Sequence, residues 1–169
     1  INVSGSLSLL EVMSKYKCHT IVFSSSATVY GSAYDKLINE NDEIKPKNPY
    51  GHTKVAVETV LNNLFESSPK EWKIANLRYF NPIGAHESGL IGEDPSGTPN
   101  NLFPLICKVA AGKKEKIEIF GRDWPTPDGT AIRDYIHVMD LAECHIQVLQ
   151  FLMNSEPEFL NLNVGTGIG

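Results

Sequence analysis

The chain of 169 residues has few cysteines, no excess of basic residues and no long apolar run. Cys18, Cys107 and Cys144 are far apart and form no Cys-x-x-Cys pair, which argues against a disulfide framework or a structural zinc site and favours a reducing cytoplasm. The 15 basic and 20 acidic side chains give a net charge of −5, so the basic face that nucleic acid or an anionic membrane requires is missing. No stretch approaches the roughly 20 apolar residues that cross a bilayer. We therefore expect a cytoplasmic globular protein with no metal site and no nucleic-acid or membrane partner.

Helical and strand patterns alternate along the chain. Residues 3–16 and 49–65 carry apolar side chains at helical spacing, and Pro49 lies at the start of the second run, where its missing N–H is harmless. The run at 20–23 is short and continuously apolar, as buried parallel strands are, and we predict a second buried strand at 74–80. Strands separated by helices of about 10–15 residues indicate βαβ units and an α/β fold with a parallel sheet. The remaining predicted elements are strands at 116–120, 133–138 and 159–164, helices at 101–111 and 139–153, and a loop at 81–100.

A tyrosine and a lysine near the start of the second helix form the first candidate site. Tyr50 and Lys54 are four residues apart, so their side chains share one helical face. A free tyrosine has a pKa of about 10, whereas a general base works best near 7. The lysine ammonium, together with a second cation, would lower the tyrosine pKa by stabilising the phenolate. Taken alone, the same spacing more often marks an ordinary pair on a helix surface.

A run of small hydroxyl residues forms the second candidate site. Ser24, Ser25 and Ser26 follow the apolar run at 20–23, and ligands of open parallel sheets bind beyond the carboxyl ends of the strands. Serine hydroxyls there can donate to or accept from a polar substrate group. The alternative is a helix cap or a turn, which would use the same hydroxyls for backbone contacts. The coincidence of this run with the tyrosine and lysine pair favours a catalytic site.

Five longer motifs occur along the chain. They are Ser-Ser-Ser-Ala-Thr-Val-Tyr-Gly (24–31), Asn-Pro-Tyr-Gly-His-Thr-Lys (48–54), Leu-Arg-Tyr-Phe-Asn-Pro-Ile-Gly-Ala-His (77–86), Gly-Glu-Asp-Pro-x-Gly-x-Pro-Asn-Asn-Leu (92–102) and Asp-Gly-Thr-x-Ile-Arg-Asp-Tyr-Ile-His-Val (128–138). Together they resemble UDP-galactose 4-epimerases, which are extended short-chain dehydrogenase/reductases, over essentially the whole chain. The resemblance implies a Rossmann-like doubly wound parallel sheet with part of a smaller substrate-binding domain. The sheet would be incomplete, because the first strands and their glycine-rich phosphate loop are not in this sequence.

The resemblance also implies a role for each matching residue. Tyr50 would be the catalytic base that takes the proton of the sugar 4-hydroxyl, Lys54 would hold the nicotinamide ribose of NAD and lower the Tyr50 pKa, and Ser26 would bond the reacting oxygen. These three residues form the implied catalytic set, and they also contact the cofactor together with Phe80. The residues implied for the nucleotide sugar are Ser26, Ala27, Thr28, Asn81, Asn101, Leu102, Glu118, Ile119, Phe120 and Arg133, with 118–120 packed on the uracil and Arg133 paired with the diphosphate.

Several of these features have simpler alternatives. Asn101 could serve simply as the N-cap of the next helix, and Arg133 could form a surface ion pair with Asp134. The segment 165–169 has a Gly-x-Gly-x-Gly spacing after a strand, which we interpret as a turn rather than a phosphate loop. Three further residues lack zinc-ligand spacing and are interpreted as packing or helix-face residues: His137, Cys144 and His145.

The implied activity is interconversion of UDP-galactose and UDP-glucose through NAD-dependent oxidation at C4, rotation of the keto-sugar and re-reduction, in a homodimer. The alternatives are a related enzyme acting on a nucleotide sugar, such as a uronate epimerase or decarboxylase, or an inactive nucleotide-sugar-binding fragment. We expect 1–80 to be the carboxyl-terminal part of the NAD-binding domain and 81–130 to bind the nucleotide sugar. Residues 131–158 would return to the Rossmann domain, and 159–169 would begin a further substrate region.

Overall fold

The computed structural model describes residues 1–31, 37–97, 99 and 101–169. Within these residues, four helices and five strands follow one another, with a short 3-10 helix at Ala27–Tyr30. The helices are α1 (Asn2–Lys15), α2 (Pro49–Ser67), α3 (Leu102–Ala110) and α4 (Val138–Asn154), and the strands are β1 (Thr20–Ser24), β2 (Lys73–Tyr79), β3 (Asn81–Ile83), β4 (Tyr135–His137) and β5 (Phe159–Val164). Among the described residues, no helix combines the length and apolar character needed to span a membrane.

The central sheet is parallel, with the strand order β1-β2-β5. Ile21 lies opposite Ile74 in the β1–β2 pair, and Ala75 lies opposite Leu160 in the β2–β5 pair. Parallel pairing requires a crossover between the strands, which α2 provides between β1 and β2. The predicted parallel α/β sheet is therefore confirmed, and its three carboxyl ends lie along one edge.

Helices cover both faces of this sheet, as a doubly wound fold requires. Since side chains of β2 alternate between faces, Ile74 packs with Leu61 of α2 in one core cluster, while Leu77 packs with Leu141 of α4 in the other. Trp72, just before β2, is 2% exposed and closes the cluster on the α1 and α2 side. The two clusters clamp the sheet and hold its carboxyl edge in place.

The start of α2 is set by local sequence, and this fixes the position of Tyr50. The Asn48 side chain accepts a hydrogen bond from the Gly51 N–H at 2.7 Å, and Pro49 occupies the first helical turn, both of which favour helix initiation. A Cβ on Gly51 would approach the Thr28 carbonyl oxygen at 2.9 Å. Only glycine therefore allows the first turn of α2 to lie against the segment that follows β1.

The structure corrects two of the predicted elements. Residues 116–120, all within the described part of the chain, form no strand, because no strand lies beside them to pair with their backbone; Phe120 is 93% exposed. The predicted loop at 81–100 begins instead with β3, which pairs in parallel with β4. Pro82 lies within β3, and a strand paired on one side only tolerates proline. Thr98 and Asn100, at the end of that loop, lie outside the described residues.

Candidate active site

Tyr50 and Lys54 lie together at the carboxyl edge of the sheet. The Lys54 Nζ donates a hydrogen bond to the Ser24 backbone carbonyl at 2.7 Å. It lies 5.4 Å from the centroid of the Tyr50 ring and 5.0 Å from that of Phe23. The prediction that the two side chains share one helical face is confirmed. The contact with Ser24 further joins this pair to the end of β1.

The electrostatic setting of Tyr50 differs from the sequence-based expectation. Burial, together with the neighbouring Tyr79, raises the pKa of the Tyr50 hydroxyl above its ordinary value, whereas a lowered value was expected. Burial also lowers the pKa of the Lys54 ammonium. The Lys54 ammonium makes its hydrogen bond with a carbonyl and lies over the tyrosine ring. Lys54 by itself therefore does not lower the pKa of Tyr50 in this arrangement. For Tyr50 to act as a base with a pKa near 7, a second positive charge is needed beside it.

The three consecutive serines are anchored in three different ways. Ser24 Oγ lies 2.9 Å from Nε2 of His145, and Ser25 Oγ donates to the Glu58 carboxylate. Ser26 Oγ accepts from the Thr28 backbone N–H at 3.3 Å and from the Thr28 hydroxyl at 3.0 Å. The turn interpretation of Ser26 is thus confirmed: it caps the 3-10 helix. Its implied bond to a reacting oxygen stays a prediction.

A buried ion pair beneath the serines was missed in the sequence. Glu58 of α2 and Arg78 of β2 are 7% and 4% exposed, and Arg78 donates to both carboxylate oxygens, at 2.7 Å from Nη2 and 3.1 Å from Nε. Arg78 Nη1 also donates to the Tyr30 hydroxyl at 2.8 Å. The sequence did offer a signal, because Glu58 lies within the apolar stripe of a predicted helix and Arg78 within a predicted buried strand. Buried charges need partners, so the two residues could have been paired.

The same network ties down the segment that precedes α2. Tyr30 donates to Asn163 Oδ1 at 2.7 Å, and the Asn163 N–H donates to the Glu40 carboxylate at 2.8 Å. Arg78 reaches the Glu40 backbone carbonyl at 3.1 Å. Burial raises the pKa of Tyr30, so its hydroxyl stays protonated and can donate. The serine segment, α2, β2 and β5 are therefore linked by polar contacts as well as by apolar packing.

The predicted site residues that follow β2 form hydrogen bonds with neighbouring groups as well as lying near the carboxyl edge of the sheet. Phe80 is half-buried and its N–H donates to the Val164 carbonyl at 3.0 Å. The Asn81 side chain donates to the Asp134 carbonyl at 2.9 Å. Asn101 occupies the cap position of α3 without making a side-chain cap bond, and its amide donates instead to Glu93 at 2.8 Å. Leu102 is exposed.

The predicted uracil and diphosphate residues lie on an open surface. Ile119 and Phe120 line a cavity of about 350 Å³ together with Trp124 and Thr130. Glu118 and Arg133 are exposed. Ala27 and Thr28 are half-buried near the serines. The structure thus brings the serines, Tyr50, Lys54 and Phe80 to the sheet edge, while Asn101, Leu102, Glu118 and Arg133 lie outside the packed core.

The turn interpretation of 165–169 is confirmed. The Asp134 carboxylate accepts from the backbone N–H groups of Thr166 and Gly167, both at 2.9 Å, and from the Thr166 hydroxyl at 2.7 Å. The backbone donors that a phosphate would require already bind this carboxylate. These bonds also show that Asp134 serves the turn, in place of the alternative ion pair with Arg133. The described residues contain no cluster of three or more potential metal ligands.

His137 ends β4, whereas Cys144 and His145 lie in α4. The His137 Nδ1 accepts from the Met139 N–H at 3.2 Å and so caps α4. Cys144 packs beside the α4 core cluster. His145 lies on the same helix and reaches the end of β1 through Ser24.

With this geometry in place, comparison with known proteins identifies the class. Residues 1–165 match the NAD dependent epimerase/dehydratase family, and the chain belongs to it. Among curated relatives, it is 52% identical over 167 residues to the UDP-glucose 4-epimerase of Bacillus subtilis, covering 98% of this chain and 49% of the relative. It is 50% identical to the UDP-glucose 4-epimerase of Dictyostelium discoideum, covering 99% and 48%. The chain spans about half the length of the curated relatives it matches.

Solved structures of similar proteins share the fold closely. The UDP-glucose 4-epimerase of Stenotrophomonas maltophila, solved with bound NAD and formylated UDP-arabinopyranose, has a TM-score of 0.94 and 49% identity over 99% of this chain and 49% of its own. The enzyme of Bifidobacterium longum, in complex with NAD+ and UDP, has a TM-score of 0.90 and 46% identity over 98% and 49%. The resemblance seen in the sequence motifs is confirmed.

Proposed function

We propose that the protein carrying this chain interconverts UDP-galactose and UDP-glucose by transient oxidation at C4 of the sugar. The observation that carries the proposal is the joint placement of Tyr50 and Lys54 beside the serine segment at the carboxyl edge of a parallel sheet. Relatives about 50% identical to nearly all of this chain are named UDP-glucose 4-epimerases. A general base, a cation and hydroxyl groups at one edge fit proton transfer to and from a sugar hydroxyl.

The residues present fit the nicotinamide and ribose end of NAD. Lys54 uses one of its three N–H donors on Ser24, which leaves two for ribose hydroxyls. Tyr50 is 45% exposed, so its ring faces open space at the edge where Phe80 also lies. We propose that Tyr50, Lys54, Ser26 and Phe80 contact this cofactor. When bound, NAD supplies the chemistry of accepting and returning a hydride.

Tyr50 performs the proton transfer in this proposal. Its phenolate oxygen takes the proton of the sugar 4-hydroxyl as C4 is oxidised, and the tyrosine hydroxyl returns a proton when C4 is reduced on the other face. Lys54 holds the phenolate by charge, and Ser26, fixed by its bonds to Thr28, donates to the reacting oxygen. The raised pKa of Tyr50 keeps the base protonated until a second cation joins Lys54 beside it.

The nucleotide sugar would extend from the serine segment across the exposed residues. Ala27 and Thr28 would line the sugar end, and Arg133 would pair with the diphosphate through its planar guanidinium. The open cavity at Ile119 and Phe120 offers apolar surface to a flat base. The residues proposed for this surface are Asn81, Asn101, Leu102, Glu118, Ile119, Phe120 and Arg133.

We also propose that the protein is a homodimer located in the cytoplasm. Its functional regions would be 1–80 for NAD, 81–130 for the nucleotide sugar, 131–158 as a return to the Rossmann domain and 159–169 as the start of a further substrate region. Leu9 and Val12 of α1, each 52% exposed, offer apolar surface for assembly. Cys18, Cys107 and Cys144 are free thiols, as expected in a reducing compartment. Light scattering of the full-length protein measures the mass: twice the chain mass supports the dimer, and the monomer mass refutes it.

The decisive experiment is an assay of the full-length protein with UDP-galactose and no added NAD. Formation of UDP-glucose is the expected result, since it requires both the reaction and a retained cofactor. A folded protein that contains NAD but leaves UDP-galactose unchanged would refute this substrate. UDP-xylose belongs in the same assay, because a relative 51% identical is named a bifunctional UDP-glucose and UDP-xylose 4-epimerase.

A further inference from the structure

We propose that His145 and Ser24 are positioning residues for Lys54, an inference that rests on the proposed function. Ser24 binds two partners at once, since its backbone carbonyl accepts from Lys54 Nζ at 2.7 Å while its hydroxyl lies 2.9 Å from His145 Nε2. The residue that receives the ammonium is thus itself held by a side chain from α4.

The second nitrogen of His145 determines the direction of this bond. His145 Nδ1 lies 2.8 Å from the Leu141 backbone carbonyl, and a carbonyl only accepts. Nδ1 therefore carries the hydrogen in the neutral ring, which leaves Nε2 as an acceptor. The Ser24 hydroxyl consequently donates to Nε2, so that the imidazole links the α4 backbone to the end of β1.

The geometry makes this link specific to the active edge. Ser24 is the last residue of β1, and its side chain reaches α4 on one face of the sheet. The Ser25 side chain reaches Glu58 of α2, on the opposite face. The Tyr79 ring lies 6.4 Å from His145, and the same tyrosine acts on the pKa of Tyr50. The hydrogen bonds of His145 go to Ser24 and Leu141, so it reaches Lys54 through Ser24.

The expected consequence is a loss of turnover with little change in substrate binding. Without the imidazole anchor, the Ser24 carbonyl can shift, and Lys54 loses the fixed point from which it acts on Tyr50. Placement errors of this kind reduce the rate of the chemical step. The Ser24→Ala change keeps the backbone carbonyl, so it removes only the side-chain anchor.

The test compares Ser24→Ala, His145→Phe, their double variant and His145→Gln in the full-length protein. A glutamine amide oxygen can accept in the place of Nε2. We expect Ser24→Ala and His145→Phe each to lower kcat about fivefold, the scale of one hydrogen bond, with KM for UDP-galactose within about twofold. The double variant should lose no more than either single variant, since both remove one bond, and His145→Gln should recover most of the rate.

Gln147→Ala, on the exposed surface of α4, is the matched control and should leave kcat unchanged. The inference is overturned if the wild-type enzyme is active and all four variants have the same kcat as the wild type. It is also overturned if the losses of kcat only accompany a lower unfolding temperature and multiply in the double variant. A His145→Gln variant as impaired as His145→Phe overturns it as well.

A second measurement separates this inference from the proposed function. With lysine labelled with ¹³C at Cε, the NMR signal of Lys54, assigned by Lys54→Arg, reports its surroundings without any substrate. We expect the signal to move in Ser24→Ala and His145→Phe and to stay in place in Gln147→Ala. A wild-type protein with no epimerase activity would refute the proposed function while this shift still supports the link. An unmoved signal would overturn the link whatever the activity.

Discussion

Two regions of the molecule differ in how their apolar side chains are packed. The sheet region is residues 1–31, 37–83 and 135–164, and the loop region is residues 84–134 without Thr98 and Asn100. Every side chain of the hydrophobic core among the described residues lies in the sheet region. The loop region leaves large apolar side chains in solvent, with Leu90 87% and Phe120 93% exposed. Both regions nevertheless carry residues implied for the same reaction.

This difference teaches which part of the proposed site is ready before any ligand binds. In the sheet region, Lys54 and the serines have fixed protein partners, so their geometry does not depend on substrate. In the loop region, Arg133 and Phe120 are exposed, and an exposed apolar patch commonly marks a binding surface. We therefore propose that the sheet region carries the chemistry and lines the sugar end, and that the loop region recognises the nucleotide part of the substrate.

The largest effect is expected from breaking the buried ion pair of the sheet region. Arg78→Met leaves the Glu58 carboxylate buried without its cation, and such a loss costs about 3–5 kcal/mol of unfolding free energy. Urea denaturation followed by circular dichroism measures it. The double variant Glu58→Leu with Arg78→Met should recover part of the loss, since no unpaired charge remains. A single variant as stable as wild type would show that the pair does not support the sheet.

The next largest effect concerns the base itself. Tyr50→Phe removes the proton acceptor while keeping the ring, so kcat for UDP-galactose should fall at least about 100-fold. Tyr16→Phe, at a tyrosine 73% exposed just after α1, is the matched control and should have no effect. A Tyr50→Phe variant within threefold of wild type would remove this tyrosine from the role of base.

A smaller effect is expected from the cation. Lys54→Met removes the positive charge that acts on the Tyr50 phenolate together with the cation of the bound cofactor, so the pKa of Tyr50 in the NAD-loaded enzyme should rise and the acid limb of the kcat profile should move to higher pH. The variant should also retain less NAD, because two ribose donors are lost. Steady-state rates between pH 6 and 10 and the absorbance of bound cofactor measure the two changes. An unmoved pH profile would contradict the electrostatic role of Lys54.

The smallest effects are expected in the loop region. Phe120→Ala and Arg133→Gln should raise KM for UDP-galactose several-fold and leave kcat nearly unchanged, because they weaken binding without touching the reacting atoms. Stability should stay within about 0.5 kcal/mol of wild type, as for other exposed side chains. Lys114→Ala, at an exposed lysine of the same region, is the control. A large fall in kcat with unchanged KM would break the division between the two regions.

Local patterns were sufficient to predict most of the sheet region. The apolar run of β1, the buried strand β2 and the Pro49 start of α2 follow from short-range rules, and the observed bounds differ from the predicted ones by one or two residues. The Tyr50 and Lys54 pairing followed from helical periodicity alone. The sequence also located the serines at the end of β1.

The remaining features depend on contacts between distant residues, which periodicity does not encode. Residues 116–120 alternate like a strand, yet the pairing partner decides whether such a segment forms one. The links from Ser25 to Glu58 and from Ser24 to His145 span 33 and 121 residues. The pKa of Tyr50 likewise follows from burial, a tertiary property that the motif cannot report.

The most direct test of the division is a chimera in which this chain replaces the matching 167 residues of the Bacillus subtilis UDP-glucose 4-epimerase. If the sheet region supplies the base and its cation, the chimera converts UDP-galactose to UDP-glucose, and Tyr50→Phe within it lowers kcat at least about 100-fold. A folded chimera that retains NAD and does not convert UDP-galactose, or one whose activity survives Tyr50→Phe, would contradict the assignment of the chemistry to this chain.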